Sequence, residues 1–155
     1  MSSTAETMKC ETSLWDSRDV AEARRFPSYR EEITRIYTPW TSEIIDGAEF
    51  SARIDATCLE GGAFAKLNIS PIIASRTSRD IADSNVDCVY ANVVAAGIMS
   101  VEQHGKLQFA HPGDLIIADG TSKLSMISNG SDYETSTFMI PKSRLPDAHS
   151  LINVV

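Results

Sequence analysis

The chain is poor in the residues that most often carry catalysis. Among its 155 residues are three cysteines and three histidines. Cys10, Cys58 and Cys88 are odd in number and widely spaced. That spacing predicts neither a disulfide framework nor a zinc knuckle but free reduced thiols, with Cys88 packed in a strand. There is no Gly-x-Ser-x-Gly, no Walker loop and no dinucleotide fingerprint, and Gly61-Gly62 lacks the strand-to-helix context that cradles a phosphate. No apolar run approaches the ~20 residues of a membrane span. The first twenty residues, with Glu6, Lys9, Glu11 and Asp16 among them, hold no signal-peptide core. A cytoplasmic location away from the membrane is the expectation. Positive charge is short as well: 14 Lys and Arg stand against 21 Asp and Glu, a net charge of −7. The densest basic pair, Arg24-Arg25, is flanked by Glu22 and by Glu31-Glu32. A phosphate backbone repels such a chain, which argues against nucleic-acid binding by these residues themselves.

What is present is an ordinary globular composition, 43% apolar and 23% charged, in a length that suits one domain with its own core. Residues 1–17 read as a loose, polar lead-in. Pro27 suits a first helical turn, and Tyr29, Ile33, Ile36 and Tyr37 fall on one helical face that Pro39 ends. From Ala48 onward the pattern is strands and turns. Phe64–Ile73 is a strand broken at Pro71, Asp80–Asp87 a polar connection, and Cys88–Val94 an apolar run resumed as Ile98–Val101 after Gly97. Gln103-His104-Gly105 predicts a hairpin turn. Leu107 and Phe109 alternate with Lys106 and Gln108, which predicts that the apolar pair is buried. Pro112-Gly113-Asp114 predicts a tight turn into Leu115–Ala118, and Asn129-Gly130 a two-residue turn before a last strand, Thr135–Ile140. Short strands at regular spacing make the fold mainly β, a barrel or sandwich, with one helix before it and another beginning at Asp147. Asp83/Asp87 and Glu31/Glu32 read as solvated carboxylates rather than acid–base dyads.

In order along the chain stand Phe26-Pro-Ser-Tyr29-Arg-Glu-Glu-Ile33, Ala74-Ser-Arg76-Thr77, Ala96-Gly97, Gln103-His-Gly105, Pro112-Gly113-Asp114-Leu115 and Ile140-Pro141-Lys142-Ser143-Arg144-Leu145. This succession resembles the AraC-binding-like domain, the N-terminal effector-sensing half of AraC/XylS-type transcription regulators. The resemblance runs from about Val20 to Leu145. It implies a cupin-like β-barrel or jelly roll over residues 18–146 that binds a small molecule and forms a homodimer. Residues 147–155 would then begin the linker to a helix-turn-helix domain that this chain lacks. DNA would be bound only through that absent half.

The metal-binding cupin motif carries a histidine three residues after the turn glycine, where this chain has Ile116, and Val86–Val101 contains no histidine. His104 and His111 fall in turns, so no metal and no other cofactor is expected. For the effector, Arg76 occupies an arginine position of the family pattern, where it would pair with a carboxylate. It reads equally as a structural ion pair or a surface residue. Tyr90 and Asn92 share one face of their strand and, with Phe64 on an earlier strand, would line a cavity or simply pack the core. Trp40, just after the helix, would cover one barrel end. The sequence thus points to a non-enzymatic sensor of a small, aromatic or carboxylated effector. A metal-bearing cupin-fold isomerase or dioxygenase and a purely oligomerising barrel are the alternatives.

Overall fold

The structure is a computed structural model that describes residues 11–45 and 49–146. Nine strands form it: β1 (Thr12–Asp16), β2 (Thr41–Ile44), β3 (Ala52–Leu59), β4 (Gly62–Ile69), β5 (Ile72–Arg76), β6 (Cys88–Gln103), β7 (Lys106–Ala110), β8 (Leu115–Asp119) and β9 (Leu124–Pro141). Helix α1 (Arg25–Ile36) follows β1, and a single-turn helix α2 (Ser78–Ala82) follows β5. The fold is the mainly-β, curled sheet that the strand spacing predicted. Its hydrogen-bonded order runs β1-β3-β4-β9-β5-β2, with β6 against β9 and with β7 and β8 against β6. Thr12–Asp16, inside the expected loose lead-in, is a paired strand because Trp15 turns in to pack on the helix, its indole N–H donating to Ser28 Oγ at 3.0 Å. Residues 147–155 lie outside the described residues.

Helix α1 is amphipathic as its spacing predicts, burying Tyr29, Ile33 and Ile36 against the sheet. Phe26, Tyr29 and Phe50 stack beneath it with ring centroids 5.2–6.3 Å apart. Within Asp80–Asp87, expected to be a plain connection, α2 forms because Thr77 and Asp80 make a reciprocal capping box. Asp80 N–H donates to Thr77 Oγ1 and Thr77 N–H to Asp80 Oδ2.

Two long strands organise the barrel. β9 pairs with β5 through its first half and with β4 through its second, while β6 runs beside it throughout. Both bend at one place. The register slips on either side of Ala96, so that Ala96 faces Glu134 but Ile98 faces Asn129. Asn129-Gly130 is therefore a bulge inside one continuous strand rather than the expected turn. Gly97 (φ +79°) and Gly130 (φ +110°) supply the left-handed backbone. A Cβ on Gly97 would lie 2.7 Å from Asn129 O.

The Gln103-His104-Gly105 turn is a true two-residue hairpin, with positive φ at both His104 and Gly105 as the primed turns require. The Pro-Gly-Asp turn is not. β7 and β8 do not pair with each other but lie end to end along β6, at Met99–Gln103 and Val89–Val93 respectively. The turn between them is pinned to the β6 bend by Gly113 N–H donating to Val94 O at 2.8 Å and Val94 N–H to Asp114 O at 3.2 Å. Burial along β7 is also the reverse of that expected. Ala110 is buried and Gln108 half-buried on the inner face, while Leu107 and Phe109 are each 59% exposed. With Leu115, Val93 and Ile98 they leave a run of apolar side chains on the outer surface.

Two carboxylates fasten the lower loops. Burial pushes Asp119 up, but hydrogen bonds from Lys142 (2.8 Å) and Thr121 (2.7 Å) outweigh it and hold its pKa below the ordinary 3.8. At Asp80 burial is likewise outweighed, by bonds from Thr77 and Thr41. A folded pKa below the unfolded one stabilises above about 3.8, and that stability is lost as pH falls through the lower folded value. Urea titrations from pH 7 to 2 should show this acid-side loss. Asp119→Asn should lower stability at pH 7 and flatten the profile below pH 4.

Candidate functional site

The alternation of the central strands aims one row of side chains into the barrel. Tyr90 and Asn92 on β6, Met139, Thr137 and Thr135 on β9, and Ala63, Ala65 and Leu67 on β4 are cross-strand neighbours on this inner face. The result is a cavity of about 80 Å³ between the sheet and α1. Tyr29 and Ile33 of the helix wall it on one side, Met99 and Met126 on another, and Tyr37 and Trp40 at the helix exit.

Among the described residues no Asp, Glu, Lys, Arg or His lines this space. Its polar groups are neutral and mostly occupied. Thr137 Oγ1 donates to Asn92 Oδ1 at 2.8 Å, Thr135 Oγ1 to Val93 O at 3.1 Å, and Tyr37 OH to Thr137 O at 3.0 Å. Tyr90 OH bonds Thr38 Oγ1 and accepts from Trp40 Nε1 at 3.2 Å. Burial drives the phenols of Tyr29, Tyr37 and Tyr90 well above the ordinary 10. Among the described residues, two buried polar atoms of residues that line the cavity have no hydrogen-bond partner: Asn92 Nδ2 and Tyr133 OH, in residues only 1% and 3% exposed. Burial pushes the Tyr133 hydroxyl up to about 12, so it stays a neutral donor. Thr135 lies close enough to lower that value, yet its own proton goes to Val93 O and no hydrogen bond joins it to Tyr133.

Of the residues singled out from sequence, the structure brings three together here. Tyr90, Asn92 and Trp40 all line the cavity, and Trp40 lies edge-on to Tyr90 with centroids 5.1 Å apart. Phe64 is elsewhere. It alternates with the inward-facing Ala63 and Ala65 and so points outward, against Phe138 at 4.5 Å. Arg76 is inside the protein, 1% exposed, but is not part of the cavity wall. Its Nη1 donates to Pro39 O at 2.6 Å and its Nη2 to Gly120 O at 2.7 Å, with the guanidinium 5.8 Å from the Trp40 ring centroid. Both amino groups are thereby fixed on main-chain carbonyls, and no carboxylate pairs with the side chain among the described residues. The arginine thus clamps three segments together.

Sequence reading missed Tyr133, Thr137 and the two cavity methionines. Tyr133 sits in the β9 bulge that was taken for a turn, where no alternation predicts a direction. Thr137 was legible as one of an alternating Thr135/Thr137/Met139 set, but its partner Asn92 was known only once the β6–β9 register was known.

His104 and His111 are exposed, His111 Nδ1 lying 3.7 Å from Asp114 Oδ2. Among the described residues no three His, Cys, Asp or Glu side chains converge as metal ligands. Cys88 is fully buried and Cys58 half-buried, both as free thiols, and burial pushes the Cys88 thiol up. No helix among the described residues is long and apolar enough to cross a membrane.

No family model and no curated protein matches this sequence. Solved structures do match. The AraC-like transcriptional activator CuxR superposes with a TM-score of 0.78 at 14% identity, over 92% of this chain and 52% of that one. The chain thus spans about half the length of CuxR. The EutQ protein of Clostridium difficile gives a TM-score of 0.44 at 10% identity, over 64% of this chain and 75% of that one. The cupin domain of an XRE-family transcriptional regulator from Enterobacter cloacae gives 0.43 at 10% identity, over 65% and 95%. At 14% identity the likeness is one of fold alone: the chain has the mainly-β fold of the part of CuxR on which it superposes.

Proposed function

We propose that this domain is a non-enzymatic sensor whose barrel cavity binds a small-molecule effector and passes that occupancy to a DNA-binding half of an AraC-type regulator. One observation carries the reading: an interior cavity walled partly by a helix, with two buried, unpartnered polar atoms in residues that line it. A barrel serving only as an oligomerisation scaffold gains nothing from either feature, since each unpaired buried group costs about 1–3 kcal/mol. The superposition on an AraC-like activator supports the regulatory half of the reading.

Coupling would run through α1. Tyr29 and Ile33 face the cavity, while Arg35 on the opposite side bonds Glu32 at 2.8 Å and Ser13 of β1 at 3.1 Å. A guest that fills the cavity changes the free energy of helix positions differing in their distance from the sheet, and so shifts their populations. The fold family reading also carries a homodimer, which sedimentation of the chain would reveal as twice the 16.9 kDa protomer mass.

A thermal-shift screen of the 155-residue chain against small metabolites tests the sensor. A binder present at 100 times its Kd should add about 2.7 kcal/mol to the unfolding free energy. It should also change Trp40 emission, because that indole lies on the cavity wall. Absence of any binder in that screen would overturn the reading, and measurable turnover of a substrate would put catalysis in its place.

A further inference from the structure

Resting on the sensor reading above, we propose that the barrel cavity selects a small uncharged molecule, apolar over most of its surface and carrying one or two oxygen acceptors, with Asn92 and Tyr133 as the residues that set this choice.

The argument begins with charge. Among the described residues the cavity wall holds no ionisable group that is charged at neutral pH, and Arg76, the cation closest to mind for a carboxylate guest, has both amino groups on carbonyls outside the wall. A charged guest would surrender its hydration with nothing of opposite sign to replace it, which in a dry interior is the largest penalty available. Next comes hydrogen-bonding polarity. Asn92 Oδ1 already accepts from Thr137, which leaves its buried Nδ2 donor without a partner. Tyr133 OH is the second open group. Two open donors call for acceptor oxygens, as in a ketone, aldehyde, ether or alcohol. The rest of the wall, with Ile69, Ile72, Met99 and Met126, suits hydrocarbon. Finally there is size. One water needs ~10–15 Å³ of such space, so about 80 Å³ holds on the order of six heavy atoms. The methionines allow modest growth, being the side chains that repack most easily.

The test uses two probes of six heavy atoms each, pentan-2-one and butanoate, titrated into the 155-residue chain at pH 7.5. Binding is followed by Trp40 emission and by the Asn92 side-chain amide resonance. Pentan-2-one should bind at least tenfold more tightly than butanoate and shift that amide. Tyr133→Phe removes a hydroxyl that bonds nothing in the protein, so the variant should fold and should bind pentan-2-one three- to tenfold more weakly. Asn92→Leu should do the same, and the pair of substitutions together should abolish selectivity for the ketone over the alkane of equal length. Butanoate binding as tightly as the ketone, no binding by the ketone, or ketone binding indifferent to Tyr133→Phe would each overturn the inference. The sensor reading fails separately. If charged metabolites stabilise the chain in the wider screen, the sensor stands and this ligand class falls; if nothing in that screen binds, both fall.

Discussion

Replacing Arg76 by alanine should cost at least ~3 kcal/mol of unfolding free energy, a large share of the ~5–15 kcal/mol that holds a domain together. The side chain is 1% exposed and ties the α1–β2 connection, through Pro39 O, to the turn after β8, through Gly120 O. Truncation leaves Gly120 O buried without a donor, at about 1–3 kcal/mol, leaves the part-buried Pro39 O without one at a smaller cost, and opens a void beside Trp40. Arg76→Met separates these contributions, because it keeps most of the bulk and removes the donors. It should cost about 2 kcal/mol, since the relief of a buried cation with no carboxylate against it offsets part of the loss. Urea unfolding of the three proteins checks the series. A methionine variant as stable as the parent would show that the clamp contributes nothing net. Arg76→Ala should also loosen Trp40 and so weaken whatever occupies the cavity, although the arginine itself never touches it.

The second large effect belongs to Gly97. Alanine there should destabilise by about 3 kcal/mol, whereas Gly105→Ala should cost only about 1 kcal/mol. Both glycines have φ near +75°, a conformation that penalises any Cβ by ~1–2 kcal/mol. Only Gly97 is also crowded. Its added Cβ would meet Asn129 O at 2.7 Å and the Tyr133 backbone at 3.2 Å, while Gly105 has nothing within 4 Å. The difference between the two variants therefore measures the close approach of β6 and β9 at their shared bend. Because Tyr133 is the residue displaced, Gly97→Ala should also disturb the cavity. Equal losses for the two variants in chemical denaturation would mean that the bend is soft and that the strands part without cost.

A smaller effect has an informative sign. Tyr133→Phe should raise the melting temperature by about 2–4 °C, the shift that ~1 kcal/mol produces in a chain of this length. An atom that weakens the empty protein and strengthens the occupied one is characteristic of a binding group. A melting temperature that falls instead would indicate that the hydroxyl has a partner in solution.

The sequence by itself determined the periods. Apolar and β-branched runs between turn residues marked strands within β4, β6, β8 and β9. The spacing of Tyr29, Ile33 and Ile36 marked α1 and its buried face, and the ordered turn motifs pointed to the cupin-like fold. These are local properties, since each follows from how consecutive side chains leave one stretch of backbone. Whether Asn129-Gly130 reverses the chain or bulges within it was not local. Both outcomes use the same positive φ, and the choice fell to pairing with β6, whose own Gly97 bends at the same level. The phase of β7 was not local either. Leu107 and Phe109 differ from Lys106 and Gln108 in hydropathy, yet the pairing of Met99 with Ala110 and Val101 with Gln108 put the more apolar pair outside. Register fixes every side chain of a strand at once, so a long partner already anchored by its own pairing overrides the preference of five residues. The same rule decided the site. Tyr90 and Asn92 shared a face in the sequence, but only the β6–β9 register set Thr137 against Asn92, turned Phe64 outward, and placed the two open donors in one cavity.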